Sequence, residues 1–519
     1  MSDLIHYFTD IHNVNPFLYV PFIILPYMEP LNDFTIVPLF PISVCMMVGI
    51  VVGCYWEPWL PMPYVLLVTV AAAYACRQAV SQTVAIFLCC VVFGMALVQL
   101  QGETRDGIEG RELQGVVMSE PANRPKTVCV DILTPSAGGR TLRCYLWKDR
   151  DGRVLRLGDA IVFRISPPRE CSDNNAAGKW RGSMSQAPFY FVRSIDWHHG
   201  GIAHEQMSRW QRSRLWFLHQ RHKLLERYRD FDADTDTYSV LAAMTLGDKS
   251  TQTAELREAF SVSGASHVLA ISGLHVGIVY MLMTWLMLGR NYFWLSQVLS
   301  VSAVWAFAML TGMSASVTRA ATMISLYSVF AGRSAYNSPI NVLCFTAIVM
   351  LIADAYTLFD ASFQMSFLAV FAILTFMPLL QAVIKPDNTI LRWMCNLCLM
   401  SFCAQIGVAP LTAYYFGRFS TYFLLANFIA IPAATFILYG SFLSLIFPPA
   451  STVLVWIVRL MNDGLRLIAS LPGASIDDLH PTKTQILLTY VFIGLCYAIM
   501  RIVIPLNRIN SMKNIRKRK

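Results

Sequence analysis

Long apolar stretches recur along the chain, and they organise the sequence. Each has about 14 to 28 residues, and about 20 apolar residues suffice for a helix to cross a bilayer. The stretches lie at residues 34–56, 63–76, 80–100, 267–289, 293–312, 317–331, 339–353, 362–384, 391–414, 419–446, 450–470 and 484–506. This pattern predicts a polytopic α-helical membrane protein with about twelve hydrophobic spans, some of them short or re-entrant.

Composition supports this class of protein. Of the 519 residues, 55% are hydrophobic and only 14% are charged, which is too apolar for a set of soluble domains. Residues 34–100 are therefore predicted to be N-terminal transmembrane helices. In residues 1–33, Pro16, Pro21 and Pro26 interrupt the apolar run, which predicts an uncleaved interfacial arm rather than a signal peptide.

A β-rich segment separates the first spans from the rest. Between residues 101 and 200 the runs "LQGVVM", "TVCVDIL", "TLRCYLW", "AIVFRI" and "FYFVRSI" alternate with Gly, Pro, Asn and Asp clusters. Five short strands of this kind predict a small OB-like β domain. Its aromatic residues have two interpretations, a platform for stacking nucleic-acid bases or ordinary core packing. They are Tyr145, Trp147, Phe189, Tyr190 and Phe191.

Residues 201–232 are predicted to form an amphipathic basic helix. Apolar residues such as Met207, Leu218 and Leu225 repeat at helical spacing, while Arg and Lys occupy mainly the other faces. One interpretation is an interfacial helix that lies on membrane lipid. The other is a cationic collar that attracts phosphates. The two interpretations are compatible.

Loop charge gives an orientation. The tail at residues 507–519 ends in "KNIRKRK" and supplies much of the net charge of +9. If this tail is cytoplasmic, most inside loops are basic, most outside loops are acidic, and the β domain is periplasmic or extracellular. Arg418 and Lys483 do not fit this arrangement.

The thirteen cysteines mostly lie in apolar stretches, which favours reduced, buried thiols. Cys129 and Cys144 fall on successive predicted strands, so a disulfide between them, or from either to Cys171, is a hypothesis for an oxidising compartment. No spacing in the sequence predicts a metal site or another cofactor.

The stretch "SGASHVLAISGLHVGIV" at residues 263–279 is unusually polar for a span. On a continuous helix His267 and His275 would be separated by about 12 Å along the axis, which excludes a shared metal. Ser272 and His275 are three residues apart, a spacing that raises the hypothesis of an intramembrane serine hydrolase. Gly273 and Gly277 form a G-x-x-x-G pair, which predicts close helix packing.

Longer motifs add a resemblance to a known family. "LAAMTLGDKS" followed by "LREAFSVSGASHVLAISGLHVGIV" resembles the signature of the ComEC family of competence proteins. The likeness continues through "SASVTRAATM", "FDASFQMSFLAVFAIL" and "AQIGVAPLTAYYFGRFSTYFLLANFIAIP" and is strong over residues 238–445. It implies a channel domain at residues 233–506 in the bacterial inner membrane, through which single-stranded DNA enters the cytoplasm during natural transformation.

The resemblance also implies partners. Many family members carry a metallo-β-lactamase-like domain, but this sequence has no H-x-H-x-D-H run and no Walker loop. A separate DNA-capture protein, a nuclease and a cytoplasmic ATPase or single-strand-binding protein are therefore expected, and no catalytic chemistry is expected here.

A DNA path needs a polar, mildly cationic lining. The candidates are Ser266, His267, Ser272, His275, Arg319, Gln364, Ser366 and Gln405. Arg319 is favoured for phosphate contact, although Asp360 or a backbone carbonyl is an equally plausible partner. The main alternative is the serine hydrolase that uses Ser272 and His275, and a small-solute transporter is disfavoured because no inverted repeat is visible.

Overall fold

The computed structural model of the protein describes most of the chain. The described residues are 37–55, 62–75, 79–102, 112–123, 127–135, 140–147, 155–164, 189–192, 197–200, 205–286, 293–330, 338–384 and 386–517. The predicted arm at residues 1–33 and the partner cysteine Cys171 lie outside this set.

Helices make up most of the described structure. The N-terminal and central helices are α1 (Leu39–Tyr55), α2 (Met62–Ala75), α3 (Ala79–Gly102), α4 (Arg209–Arg229), α5 (Thr235–Leu246), α6 (Ala254–Ser263), α7 (Ser266–Leu269) and α8 (Gly273–Leu286). The later helices are α9 (Phe293–Leu310), α10 (Ala315–Phe330), α11 (Pro339–Ala353), α12 (Ala361–Val383), α13 (Thr389–Phe416), α14 (Phe423–Ile446), α15 (Ala450–Ala469) and α16 (Lys483–Lys517).

The described residues of each predicted apolar stretch are mostly helical. Five of these helices have the length and apolar composition to cross a membrane: Ser81–Gln101, Ala361–Val383, Thr389–Phe416, Phe423–Ile446 and Lys483–Val503. The others are shorter or carry more charge, so twelve spans remain a prediction. Five long apolar helices together with a small curled sheet are consistent with a membrane protein.

The helical positions follow from local sequence, but one stretch is interrupted. Residues 267–289 were predicted as one span, whereas the structure ends α7 at Leu269 and starts α8 at Gly273. Ala270 has extended backbone angles between them. The helical distance expected between His267 and His275 therefore does not apply.

The chain divides into two compact units. The first contains residues 35–256 and 305–367, and the second contains residues 257–304 and 368–519. In the first unit, α1 and α3 pack together, and apolar side chains from α11 and from the 3-10 helix Ala355–Phe359 join them. In the second, α12, α13 and α16 share a core in which the rings of Phe376 and Tyr497 are 5.3 Å apart.

The first unit also contains a curled sheet. Its strands are β1 (Glu112–Val117), β2 (Ala122–Asn123), β3 (Thr127–Thr134), β4 (Arg140–Trp147), β5 (Ala160–Arg164), β6 (Phe189–Val192) and β7 (Trp197–His199). The main path runs β6-β4-β3-β1-β5-β7, with β2 paired to β3. All pairs are antiparallel except β4 with β6. Inward apolar side chains such as Val130, Ile132 and Phe163 form one core.

The register of β3 and β4 excludes the predicted disulfide. Cys144 pairs with Val130, and Cys129 pairs with Tyr145, one position further along the ladder. Because neighbouring residues of a strand point to opposite faces, Cys129 and Cys144 cannot meet. Cys144 is buried in the core, Cys129 is half-buried, and no disulfide joins the two. The prediction that they pair is wrong.

Helix α4 packs its apolar face against this sheet. Leu218, together with Met207 just before the helix, contacts Val116 and Leu133 in a single buried cluster. The helix begins with a capping box, in which Ser208 and Gln211 each bond to the other's backbone N–H. These apolar side chains are therefore buried in protein and not free to enter lipid, while an interfacial position for the helix remains a prediction.

Two glycines allow α1 and α3 to approach closely. A Cβ at Gly49 would lie 2.0 Å from Val91 O, and a Cβ at Gly94 would lie 2.4 Å from Met46 O. Gly277 differs, since no atom of the described chain lies within 4 Å of a Cβ built there. The packing role predicted for Gly273 and Gly277 stays a prediction, and the close contacts of α1 and α3 occur at glycines that the pattern did not single out.

We expect Gly94→Ala to destabilise the protein, because the added methyl group collides with backbone that has no room to move. Overpacking of this kind typically costs about 1–3 kcal/mol. Thermal unfolding in detergent should show a lower midpoint. The control is Gly277→Ala, which should keep or raise the midpoint because Ala favours helix. Equal midpoints for the two variants would contradict this crossing of α1 and α3.

Thiol labelling should separate Cys129 from Cys144. Burial raises the pKa of the Cys144 thiol, and only a thiolate reacts readily with a maleimide. In the folded protein we expect peptide mass spectrometry to find maleimide on Cys129, with Cys144 labelled only after denaturation. A Cys129–Cys144 cross-linked peptide under non-reducing conditions would show that the register is wrong.

Candidate functional site

The polar segment at residues 263–279 forms a bend in the second unit. Gly264 has a φ of +86°, which favours glycine. A Cβ there would also lie 2.8 Å from Ser420 Oγ, so a side chain would be excluded by space as well as by conformation. After α7, the extended residue Ala270 redirects the chain into α8. A bilayer cannot satisfy the backbone groups freed by such a break, so protein or water must do so.

Ser272 and His275 meet at the start of α8. His275 Nδ1 accepts a hydrogen bond from the Ser272 backbone N–H at 3.2 Å and lies 3.2 Å from Ser272 Oγ. This geometry caps the first turn of the helix and assigns the imidazole proton to Nε2. His275 is fully buried, and its Nε2 has no hydrogen-bond partner among the described residues. The second unit therefore contains a buried imidazole N–H that donates to none of the described residues.

The other candidates in this unit lie in different surroundings. Ser266 and His267 are exposed, and His267 Nδ1 lies 3.3 Å from Gly264 O, at the bend. Gln405 is half-buried in α13. Within this unit the structure thus brings Ser272 and His275 into contact and leaves His267 at the surface.

Arg319 is the most unusual candidate in the first unit. Its side chain lies in α10 and is 2% exposed. Nη2 donates to Ser316 Oγ at 2.9 Å and to Ser362 Oγ at 3.4 Å. Nε and Nη1 have no hydrogen-bond partner in the described part of the chain. Asp360 favours the charge of Arg319 electrostatically but forms no salt bridge with it among those residues.

A tight turn in the backbone comes before α10, the helix that carries Arg319. Gly312 and Met313 both have positive φ values, and they end α9 before α10 begins. Because a non-glycine residue rarely adopts positive φ, Met313 marks a constrained turn. Arg319 thus follows the turn between α9 and α10.

Gln364 and Ser366 are also in the first unit, on α12. Gln364 Nε2 donates to Leu358 O at 2.9 Å and holds the end of the 3-10 helix, which is a structural role. Ser366 is half-buried. No cluster of three or more His, Cys, Asp or Glu suited to a metal occurs within the described ranges.

Sequence reasoning missed the role of Arg418. Its guanidinium binds Glu258 at 2.8 Å, Asp477 and Ser261 Oγ at 3.2 Å. Partial burial lowers the pKa of Arg418, but the hydrogen bonds to Asp477 and Glu258 outweigh this effect and raise it. This ion cluster joins α6 to the short strands β8 (Phe419–Ser420) and β9 (Ser475–Ile476). The only indication in the sequence was that Arg418 does not fit the orientation predicted from loop charge.

Comparison with known proteins now identifies the family. The model for the competence protein family matches residues 244–502. The chain is 30% identical over 275 residues to ComE operon protein 3 of Bacillus subtilis (strain 168), covering 50% of this chain and 34% of that protein. This chain belongs to the ComEC family of competence proteins.

A second relative of this ComEC-family chain is an uncharacterized protein of Aquifex aeolicus (strain VF5), 29% identical over 278 residues. That match covers 52% of the chain and 64% of the relative, so the chain spans less than two-thirds of either relative. No solved structure matches. Family membership together with the long apolar helices fits an inner-membrane protein.

We expect Arg319→Met to preserve or raise the unfolding midpoint of this ComEC-family protein. The substitution removes a buried charge with unpaired donors, and such replacements are often neutral or stabilising by about 1–4 kcal/mol. Arg418→Met is the matched control, because it leaves Glu258 and Asp477 without their cation and should lower the midpoint. If Arg319→Met unfolded the protein as readily, Arg319 would be a structural residue.

Proposed function

We propose that this chain is an inner-membrane channel that passes single-stranded DNA into the cytoplasm during natural transformation and that it has no catalytic activity. A strand carrying one charge per nucleotide needs a wet, polar path with weak cationic contacts. The observation that carries the proposal is Arg319, a buried guanidinium that lies beside two hydroxyl groups and has two nitrogens without an acceptor among the described residues.

The state of Arg319 favours an anionic ligand over a structural role. A buried arginine normally satisfies its donors, because unpaired polar groups out of water cost free energy. Here Ser316 and Ser362 both accept from Nη2, and within the described ranges Nε and Nη1 have no acceptor. A guanidinium matches phosphate well, and hydroxyl neighbours leave the charge free to attract a passing phosphate and then release it.

The helix breaks support a water-filled path. One break lies at Ala270, next to the capped pair Ser272 and His275, and the other lies at Gly312 and Met313, shortly before Arg319. The first break interrupts a predicted span, and such a break at membrane depth is tolerated where it lines a cavity or is buried in protein. The second is the turn between two predicted stretches. Both breaks therefore occur beside the polar side chains that we assign to the DNA path.

We assign the curled sheet to an OB-like barrel outside the cytoplasm. Its pairing order and its single parallel pair, β4 with β6, are those of a five-stranded OB barrel whose last strand is split into β6 and β7. Tyr145 and Trp147 alternate with inward residues on β4, and Trp147 is 43% exposed. They are the aromatic side chains that we propose for stacking bases.

We also assign the C-terminal tail to the cytoplasm, and we infer that the channel needs partner proteins. These 519 residues contain neither an H-x-H-x-D-H run nor a Walker loop. We therefore assign capture of DNA to a separate DNA-capture protein and degradation of the second strand to a separate nuclease. We assign pulling of the entering strand to a cytoplasmic ATPase or single-strand-binding protein.

One observation favours a second candidate, an intramembrane serine hydrolase, because Ser272 Oγ and His275 Nδ1 are 3.2 Å apart. The same Nδ1 accepts the Ser272 backbone N–H, and the imidazole is fully buried. A general base whose Nδ1 already accepts the Ser272 backbone N–H is poorly placed to take the proton from Ser272 Oγ. The channel is therefore preferred.

We expect Arg319→Met to reduce entry of labelled DNA into the cytoplasm at least tenfold, with capture of DNA at the cell surface unchanged. Arg319→Lys should restore part of the entry, because it returns the charge without the planar fork. The measurement is nuclease-protected label inside cells that carry each variant at equal protein level.

Ser272→Ala distinguishes the two candidates in the same assay. A channel should tolerate loss of one hydroxyl, whereas a hydrolase would lose its nucleophile and all activity. Normal entry with Arg319→Met, or complete loss with Ser272→Ala in a folded protein, would overturn the proposed channel.

A further inference from the structure

The side of α4 that faces away from the sheet is strongly basic. Arg209, Arg212, Trp216, Lys223 and Arg227 are exposed. At 100° per residue their positions fall within about 60° of one another around the helix. We call these five residues the basic face. Because Leu218 and Leu225 on the other side are buried, the basic face is held in a fixed direction.

The charges of the basic face are not neutralised by acidic neighbours in the described chain. No carboxylate of the described chain forms an ion pair with its four cations. Arg212 Nη2 donates to Glu205 O at 3.2 Å, which fixes the side chain without neutralising it. Glu226, at the edge of the face, lies 3.4 Å from His222. Four positive charges thus remain available along one line.

A groove accompanies these charges. It has a volume of about 480 Å³ and is lined by Glu205, Met207, Arg212, Leu215, Trp216 and His219. The indole of Trp216 is 57% exposed. A flat apolar wall next to a cation is the combination that holds a base and its phosphate in single-strand-binding proteins.

We propose that the basic face of α4 binds single-stranded DNA, with a base stacked on Trp216 and phosphates along the four cations. This inference rests on the proposed function. The helix runs about 27 Å from Arg209 to Arg227, which is long enough to follow several successive phosphates of one strand. The site is additional to the OB-like sheet and to Arg319.

Anionic lipid is the competing ligand, and the packing of α4 argues against it. An interfacial helix inserts a wide apolar face into the headgroup region. In α4 that face is buried against the sheet, and Trp210 and Trp216 are the only large apolar side chains that are exposed. Single-stranded DNA needs only cations and an aromatic platform, which this face provides.

The test is binding of a fluorescein-labelled oligothymidylate to the purified full-length chain in nanodiscs, measured by anisotropy over a salt series. Each lost cation lowers the slope of log affinity against log salt by about 0.7. Arg212→Gln/Lys223→Gln should therefore reduce the slope by about 1.4. Trp216→Ala should weaken binding by about 5- to 150-fold at unchanged slope.

The matched control is Arg392→Gln/Lys483→Gln, which removes two exposed charges elsewhere and should leave slope and affinity unchanged. Wild-type slope and affinity in the α4 variants would overturn the inference. So would variants that keep DNA binding but lose binding of phosphatidylglycerol added to the nanodiscs, since the ligand would then be lipid. Suppose that cells carrying Arg319→Met take up DNA normally while the α4 variants show altered salt slopes. That result would contradict the proposed channel but not DNA binding by α4.

Discussion

A lipid bilayer offers no partner to a backbone N–H or to a guanidinium, and the rest of this structure depends on that constraint. Long helices satisfy their own backbone, and they form the apolar bulk of the protein. The bend at Gly264, the extended residue Ala270 and the turn at Gly312 do not. Their free groups need protein or water around them, which is why polar side chains collect at these points.

The same constraint applies to two arginines, Arg418 and Arg319, whose hydrogen-bonding surroundings differ. Arg418 is held by two carboxylates and a hydroxyl, so its charge is used to join three segments of the second unit. Arg319 is almost fully buried, yet only one of its three nitrogens has a partner in the described chain. A charge kept in this condition costs stability, and a role in recognising an anion would explain its presence.

Helix positions could be predicted from the sequence because apolar runs are local signals, whereas features set by distant contacts could not. The break at Ala270 escaped because Val268, Leu269 and Ile271 continue the apolar pattern across it. The disulfide failed because strand register, which pattern does not determine to one residue, turns Cys129 and Cys144 to opposite faces. Lipid contact by the apolar face of α4 could not be judged without its partner, the sheet.

The ion cluster of Arg418 has a consequence for how the protein is made. Glu258 leaves the ribosome well before Arg418, and Asp477 follows Glu258 by about 220 residues, which takes about 10–40 seconds at usual rates of translation. During that interval α6 and the bend at Gly264 lack their anchor. The segment therefore acquires its final form only after Asp477 has been translated, so a ribosome that stalls before that residue leaves the bend without its ion cluster.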